Sequence, residues 1–276
     1  MNIIAQSLVP KCLLSRIVGK LASQRLGFLT RWAIRLFIRR YGVNMQEAEI
    51  SDYRQFSTFN DFFTRALKSD ARVLVKDDNA VISPVDGCVS ACGYLQKDQI
   101  LQAKGAYFSV NALCAGDETV GRYFENGAFL TTYLSPKDYH RFHMPISGQL
   151  KKIIYVPGKL FSVNPTTVNA KPGLFANNER VICVFETAIG KMAVIAVGAM
   201  IVGSVAIEGQ GIIARGKTIT SFPASQHFSC GDVLGCFRLG STILALFEEN
   251  KIHWDASIQQ NSALHLYQKI GHLNLV

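Results

Sequence analysis

A glycine–serine pair near the C-terminus, Gly240-Ser241, could carry out chemistry on its own peptide bond. A serine hydroxyl can attack the carbonyl carbon of the preceding glycine if a general base removes its proton near neutral pH. The surrounding Leu-Gly-Ser-Thr composition is also ordinary for a turn, so the pair alone favours a turn serine. A nucleophilic Ser241 therefore needs a base and an acid from elsewhere in the chain.

Two histidines and one aspartate could supply these groups. His140 and His143 stand three residues apart in a segment that ends Met-Pro, and Asp86 lies in a Pro-Val-Asp-Gly segment. The histidines could equally be one buried and one surface residue, or zinc ligands, although no third ligand of suitable spacing stands out. The aspartate composition also suits a simple turn. No metal is predicted, and only the fold could bring the three segments together.

The elements that must position these residues change type along the chain. Residues 1 to about 48 read as helices, and Thr58–Leu67 continues this character with a capping candidate at Thr58 or Asn60. From Ala80 onward, short β-rich runs alternate with Gly, Pro and Asn. We predict an α+β fold in which N-terminal amphipathic helices (1–65) are attached to a mainly antiparallel β core (66–276).

The positive charge is concentrated at the N-terminus. The 276-residue chain has a net charge of +9, and eight basic residues precede the first acidic residue, Glu47. Arg31, Arg35 and Arg39 form a helical stripe beside apolar residues, a pattern typical of a helix lying on an anionic bilayer. The alternative is a pair of helices packed on the core with a solvated basic face. Nucleic-acid binding is disfavoured, since no recognition pattern accompanies the charge.

Membrane contact is expected to be peripheral. The longest uncharged run, Met192–Ile207, has 16 residues, fewer than the roughly 20 needed to cross a bilayer, and is predicted to form buried strands joined by a turn. No signal-peptide pattern is present. The seven cysteines include no C-x-x-C pair and are predicted to be free thiols in a reducing compartment.

Taken jointly, five segments resemble the phosphatidylserine decarboxylase proenzyme family, of the bacterial membrane-associated type. The resemblance runs from about Phe59 to Phe247. The segments are Ser83–Gly87, Tyr139–Pro145, Phe161–Asn164, Asn178–Val181 and Leu239–Thr242.

This resemblance implies an enzyme that makes its own pyruvoyl cofactor. Asp86, His143 and Ser241 match the self-cleavage triad, in which His143 deprotonates Ser241 and Asp86 orients and supports the imidazolium. Cleavage between Gly240 and Ser241 would give a β chain (1–240) and an α chain (241–276), and Ser241 would become the pyruvoyl group. The two chains should stay together as a heterodimer, because Ile243–Phe247 reads as a core strand; further dimerisation is left open.

The resemblance also implies the reaction. The pyruvoyl ketone would form a Schiff base with the amine of phosphatidylserine, carbon dioxide would leave, and phosphatidylethanolamine would result. His140 matches the position that returns the proton. No headgroup-binding residue is carried over, because the chain between Gly203 and Gly231 is shorter than the family pattern and lacks an expected tryptophan. The enzyme would lie peripherally on the cytoplasmic side of the cell membrane, held by residues 1–45.

Two other function classes remain compatible with the residues alone. A serine hydrolase could use the same three groups on an external ester, although the Gly-x-Ser-x-Gly turn of one large group of such enzymes is missing. A non-enzymatic membrane-binding β module would need none of them. An uncut chain is expected from both alternatives, whereas the resemblance predicts two fragments.

Overall fold

A helical N-terminal part precedes a set of antiparallel sheets. The computed structural model describes residues 11–103, 105–199, 204–238 and 241–275, with backbone alone at 11–14, 16, 103 and 241. Residues 1–10 of the predicted membrane segment, 200–203 of the predicted strand pair, and Gly240 of the predicted cleavage site lie outside the described residues.

The helices are short apart from the first two. They are α1 (Lys11–Ala22), α2 (Phe28–Tyr41), α3 (Phe59–Phe63), α4 (Val110–Leu113), α5 (Glu118–Tyr123), α6 (Pro165–Ala170) and α7 (Leu174–Asn177), with a 3₁₀ turn at Tyr53–Gln55. Thr58 caps α3 in a reciprocal box with Asp61, which confirms one of the two predicted capping candidates.

The strands make up most of the chain after residue 80. They are β1 (Ala80–Ile82), β2 (Gly87–Tyr94), β3 (Gln99–Ala103), β4 (Ala106–Ser109), β5 (Ala128–Leu134), β6 (Arg141–His143), β7 (Gly148–Val156), β8 (Arg180–Thr187), β9 (Gly190–Gly198), β10 (Val205–Ile207), β11 (Gly211–Ile212), β12 (Thr220–Pro223), β13 (His227–Phe228), β14 (Val233–Phe237), β15 (Ser241–Phe247), β16 (Ile252–Trp254), β17 (Ala263–Leu264) and β18 (Lys269–Leu273).

The main sheet has the strand order β12-β7-β8-β9-β15-β5-β2-β17, and its pairings are antiparallel. Its central strand β15 is buried on both faces because each face packs against a separate hydrophobic cluster. Ile243 and Phe247 belong to one cluster, whereas Leu244 and Leu246 belong to the other. This alternation is the period-2 pattern of a strand, and it confirms the predicted core strand at residues 243–247.

A second sheet, β11-β10-β14-β6, covers one face of the main sheet. Phe142 of β6 and Phe237 of β14 lie in the same cluster as Ile243 and Phe247, so the two sheets share one core. Gly235 permits the close approach of β14 and β10 within this sheet, since a Cβ there would collide with the carbonyl oxygen of Ala206. The second sheet thereby carries its histidine segment onto the main sheet.

The N-terminal helices have a small core of their own. Ile34, Phe62 and Phe63 are buried in it, and Phe37 packs against them. The helices followed by antiparallel sheets confirm the predicted α+β fold; the exact division at residue 65 stays a prediction. No helix among the described residues has both the length and the apolar character that crossing a bilayer requires.

Candidate active site

Ser241 is the first residue of the central strand β15. Its backbone lies opposite Leu134 at the end of β5 and Gly198 at the end of β9. The predicted nucleophile therefore lies at the end of the main sheet where β15 begins and its two neighbours, β5 and β9, end. The preceding residue, Gly240, lies outside the described residues, as does the Ser241 side chain.

The strand leading to Ser241 runs beside the predicted histidines. In the pairing of β14 with β6, Val233 lies opposite His143, and the Phe237 N–H donates to the carbonyl oxygen of His140 at 2.9 Å. The histidine segment is thus a strand and the loop that enters it. His140 thus bonds Phe237, which is nearer in sequence to Gly240-Ser241 than Val233, the residue opposite His143.

His140 is fully buried and has one free ring nitrogen. Its Nδ1 lies 2.7 Å from the carbonyl oxygen of Asp138, and because a carbonyl only accepts, Nδ1 must carry the hydrogen. Nε2 is buried without a hydrogen-bond partner in the described part of the chain. The Phe63 ring lies 4.1 Å away between centroids. Burial lowers the pKa of His140 to about 3, an effect to which the nearby Arg65 cation adds.

His143 has partners at both ring nitrogens. Nδ1 lies 2.8 Å from the carbonyl oxygen of Gly231 and 3.0 Å from the hydroxyl of Tyr267. The Tyr139 hydroxyl lies 3.1 Å from Nε2. Nδ1 therefore carries the hydrogen and Nε2 accepts from Tyr139. Burial lowers the pKa of His143 to about 4, so the ring is neutral at physiological pH.

Asp86 lies next to this histidine segment but binds other groups. Its two carboxylate oxygens accept from Nε and Nη2 of Arg72 at 3.0 and 2.7 Å, and Oδ1 also accepts from the Leu266 N–H at 2.7 Å. The pKa of Arg72 is raised, chiefly by this side-chain hydrogen bond. The segment itself touches β6, since the His143 N–H donates to the carbonyl oxygen of Pro84 at 2.8 Å.

A cavity of about 700 Å³ opens beside Asp86. Tyr133, Ser135, Lys137 and Asp138 line it on the side of the loop that follows β5. Tyr133 and Ser135 flank Leu134, the residue opposite Ser241. The cavity therefore lies at the end of the sheet where β15 begins. Gly87 is required at its floor, since a Cβ there would come within 2.5 Å of the Tyr133 carbonyl oxygen.

The β14–β6 pairing sets the His140–His143 segment beside the strand that leads toward Ser241, and the Asp86 segment contacts β6 through Pro84. That these four residues act together stays a prediction. No hydrogen bond joins Asp86 to His143 among the described residues. Within the same ranges, no three His, Cys, Asp or Glu side chains lie close enough together to hold a metal ion. Each cysteine with a described side chain is a free thiol.

Sequence reasoning missed the aromatic residues around the histidines. Tyr139 was part of the recognised histidine segment, yet its hydroxyl contact to His143 had no sequence signal of its own. Tyr267 and Phe63 come from distant parts of the chain and had none. Arg72, which holds Asp86, was likewise unmarked. These groups become visible only when the strands are paired.

Comparisons with known proteins give the family. The phosphatidylserine decarboxylase profile matches residues 59–272, and a second profile, described as PSD, matches residues 1–42. A phosphatidylserine decarboxylase proenzyme of Coxiella burnetii is 44% identical over 272 residues, covering 97% of this chain and 96% of its own. Proenzymes of the same name are 47% identical in Herminiimonas arsenicoxydans (92% and 88% covered) and in Vibrio parahaemolyticus (91% and 91% covered). The chain therefore belongs to the phosphatidylserine decarboxylase family.

Proposed function

We propose that the chain processes itself at Gly240-Ser241 and then converts phosphatidylserine to phosphatidylethanolamine through a pyruvoyl group derived from Ser241. The observation that carries the proposal is the pairing of β14 with β6, which ends at the hydrogen bond from Phe237 to His140. It sets the strand that leads to the junction alongside both histidines. The similarity to decarboxylase proenzymes over nearly the whole chain supports the same activity.

For self-cleavage we assign the base to His143 and its support to Asp86. The neutral ring offers a lone pair at Nε2, and the Ser241 hydroxyl passes its proton there as its oxygen attacks the Gly240 carbonyl. The amide becomes an ester, β-elimination releases the new carboxylate of the β chain, and water then replaces the nitrogen, which leaves as ammonia. Because the Tyr139 hydroxyl occupies Nε2, Ser241 must displace it or pass the proton through it.

The described residues fit a pyruvoyl group at position 241. Such a group supplies a ketone that condenses with the substrate amine and takes up the electron pair released with carbon dioxide. His140 is the fitting partner, since its Nε2 is buried and lacks a protein partner in the described ranges. The neutral ring could take a proton from solvent water at Nε2 and deliver it to the former α-carbon of the substrate.

We propose that α1 and α2 attach the enzyme to an anionic membrane as a peripheral protein of the cytoplasmic side. Large apolar side chains of this part are exposed, among them Phe28 (72%) and Trp32 (63%). Arg31, Arg35 and Arg39 are exposed beside them. An apolar patch with a basic rim has the composition that anionic lipid surfaces bind.

The self-cleavage proposal is tested by intact mass and denaturing gels. The wild-type chain should give fragments 1–240 and 241–276, the smaller one blocked at its N-terminus, whereas Ser241→Ala should stay whole. Ser257→Ala, at an exposed serine of the same fragment, is the matched control and should cleave normally. A wild-type chain that remains whole, or that is labelled at Ser241 by a serine-directed phosphonate, would contradict the proposal.

The membrane proposal is tested with vesicles containing phosphatidylglycerol. Binding of the full chain should weaken as salt rises, and replacing Arg31, Arg35 and Arg39 together with Gln should reduce it further. Replacing the exposed Lys217 in the β domain with Gln serves as the control. Unchanged binding by the triple variant would refute attachment through α2 and leave the cleavage proposal intact.

A further inference from the structure

The Asp86 carboxylate makes no hydrogen bond to His143 among the described residues, although its negative charge acts to raise the pKa of that histidine against the larger effect of burial. Arg72 donates one hydrogen bond to each carboxylate oxygen, and the Leu266 N–H donates to Oδ1. All three of these hydrogen bonds go to groups other than the His143 ring. Besides its charge, Asp86 can therefore support this histidine through the groups that it holds in place.

What it holds is the turn that carries Tyr267. Leu266 is bound to Asp86, and the next N–H, that of Tyr267, donates to the carbonyl oxygen of Ser83 at 3.1 Å. The backbone of Tyr267 has φ 70°, in the left-handed region that bulky residues rarely adopt. A conformation of this kind persists only where the surroundings impose it, and it is often found at functional sites.

The Tyr267 side chain ends at His143. Its hydroxyl donates to the carbonyl oxygen of Gly231 at 3.1 Å, which leaves the phenolic oxygen free to accept from Nδ1–H of His143 at 3.0 Å. The two rings meet edge to face, with centroids 5.2 Å apart. Burial raises the pKa of Tyr267, so the hydroxyl keeps its hydrogen at physiological pH. Gly231 and Tyr267 together fix the ring orientation and the tautomer.

We propose that Tyr267 is a positioning residue for self-cleavage, through which Asp86 acts on His143. The inference rests on the proposed role of His143 as the base. The hydrogen bond at Nδ1 keeps Nε2 as the proton acceptor, and it strengthens when the ring becomes an imidazolium, because a hydrogen bond to a charged group is stronger than one between neutral groups. Loss of one such bond corresponds to a rate decrease of about 10–100-fold.

The test compares Tyr267→Phe with wild type in a time course of freshly synthesised precursor. The variant keeps the ring and loses the hydroxyl, so cleavage should slow by about 10–100-fold. Tyr107→Phe, at an exposed tyrosine of β4, should cleave at the wild-type rate. The pH at which cleavage is half-maximal should also move downward in Tyr267→Phe, because the imidazolium loses an acceptor; a merely structural defect would not shift it.

Two further measurements test the role of the Tyr267 hydroxyl even if Tyr267→Phe folds poorly. In uncut Ser241→Ala precursor, nitrogen NMR of His143 should show the Nδ1–H tautomer, and Tyr267→Phe should shift the Nδ1 resonance while the Gly231 carbonyl keeps the hydrogen on Nδ1. Incorporation of difluorotyrosine at 267 keeps shape and hydroxyl but weakens the acceptor, so it should slow cleavage even if Tyr267→Phe folds poorly. An unchanged Nδ1 resonance together with unchanged rates in both substitutions would overturn the inference.

A double-variant comparison separates this route from a direct one. If Asp86 acts through Tyr267, Asp86→Ala combined with Tyr267→Phe should cleave no more slowly than Asp86→Ala alone. Additive losses would overturn the inferred route. Failure of the wild-type chain to cleave at all would instead remove the proposed function, so the two failures are distinguishable.

Discussion

The two buried histidines of one short segment differ in how many of their ring nitrogens have hydrogen-bond partners. His143 is held at both ring nitrogens, by Gly231 and Tyr267 on one side and by Tyr139 on the other. His140 is held at Nδ1 only, and its Nε2 faces no described partner. Their neighbours also differ, because His140 packs on the N-terminal helical core and His143 on the turn near the C-terminus.

This difference separates two kinds of proton transfer. A ring fixed at both nitrogens has one orientation and suits a reaction that takes place once, within the chain. A buried nitrogen left without a partner costs about 1–3 kcal/mol, and a substrate that fills the gap recovers that cost. We therefore assign the early step to His143 and the repeated step to His140, and the predictions below test this division.

The largest effects are expected from removing each imidazole. His143→Ala should slow self-cleavage by about 10²–10⁴-fold, the usual contribution of a general base. His140→Ala should still cleave but should lose decarboxylation by a similar factor. Intact mass follows the first step, and release of carbon dioxide from phosphatidylserine vesicles follows the second. Exchange of the two outcomes would reverse the assignment.

The matched control for this comparison is His227→Ala, at an exposed histidine of β13. It should cleave and decarboxylate like the wild type. Loss of cleavage in both His140→Ala and His143→Ala would mean that the two rings act as one unit, and the division between them would be wrong.

The sequence predicted those parts of the molecule that local patterns determine. The run Ile243–Phe247 is apolar throughout and stands between Gly240-Ser241-Thr242 and two glutamates, so its place as a core strand followed from composition alone. Thr58 and Asp61 have the spacing of a capping box. The α+β class followed from the change of texture near residue 80. Each prediction depended on residues that are close together in the chain.

The side chains that contact the two histidines had no such pattern. Tyr267 is 124 positions from His143, and the contact exists because β18 and β1 pair and thereby bring the 265–268 turn beside Ser83. Phe63 meets His140 only because the N-terminal helices pack on the loop after β5. Long-range strand pairing and packing determine these contacts, so one sequence could not reveal them.

The next largest effect is a loss of stability on replacing Phe63, whose ring packs on His140. Phe63 is almost fully buried, and Phe63→Ala should lower the free energy of unfolding by about 3–5 kcal/mol. Water would reach the His140 ring and raise its pKa, while the pKa of His143 should stay unchanged. Denaturant titration and NMR of the Ser241→Ala precursor measure both. Phe28→Ala, at an exposed ring, is the control, and an equal loss of stability there would contradict the packing argument.

A smaller effect is expected on the free energy of unfolding as pH changes. The pKa values of about 3 and 4 lie below the ordinary 6.5, so between these limits the unfolded chain binds more protons than the folded one. The free energy of unfolding should therefore fall as pH falls below about 6.5, by up to about 1.4 kcal/mol per histidine per pH unit. His140→Gln should reduce this slope in the Ser241→Ala precursor. An unchanged slope in His140→Gln would show that this ring is not buried in the neutral form.

The smallest effect separates the electrostatic surroundings of the two rings. Arg65 donates from Nη2 to the carbonyl oxygen of Lys137 at 3.1 Å, and its cation lowers the pKa of His140, whereas Arg141 acts in this way on His143. Arg65→Gln removes the charge and should raise the pKa of His140 by less than about one pH unit, because burial remains the larger cause. Arg65→Lys keeps the charge and should leave that pKa nearly unchanged. NMR titration of the Ser241→Ala precursor resolves the two histidines, and an equal shift at His143 would show that the rings share one electrostatic environment after all.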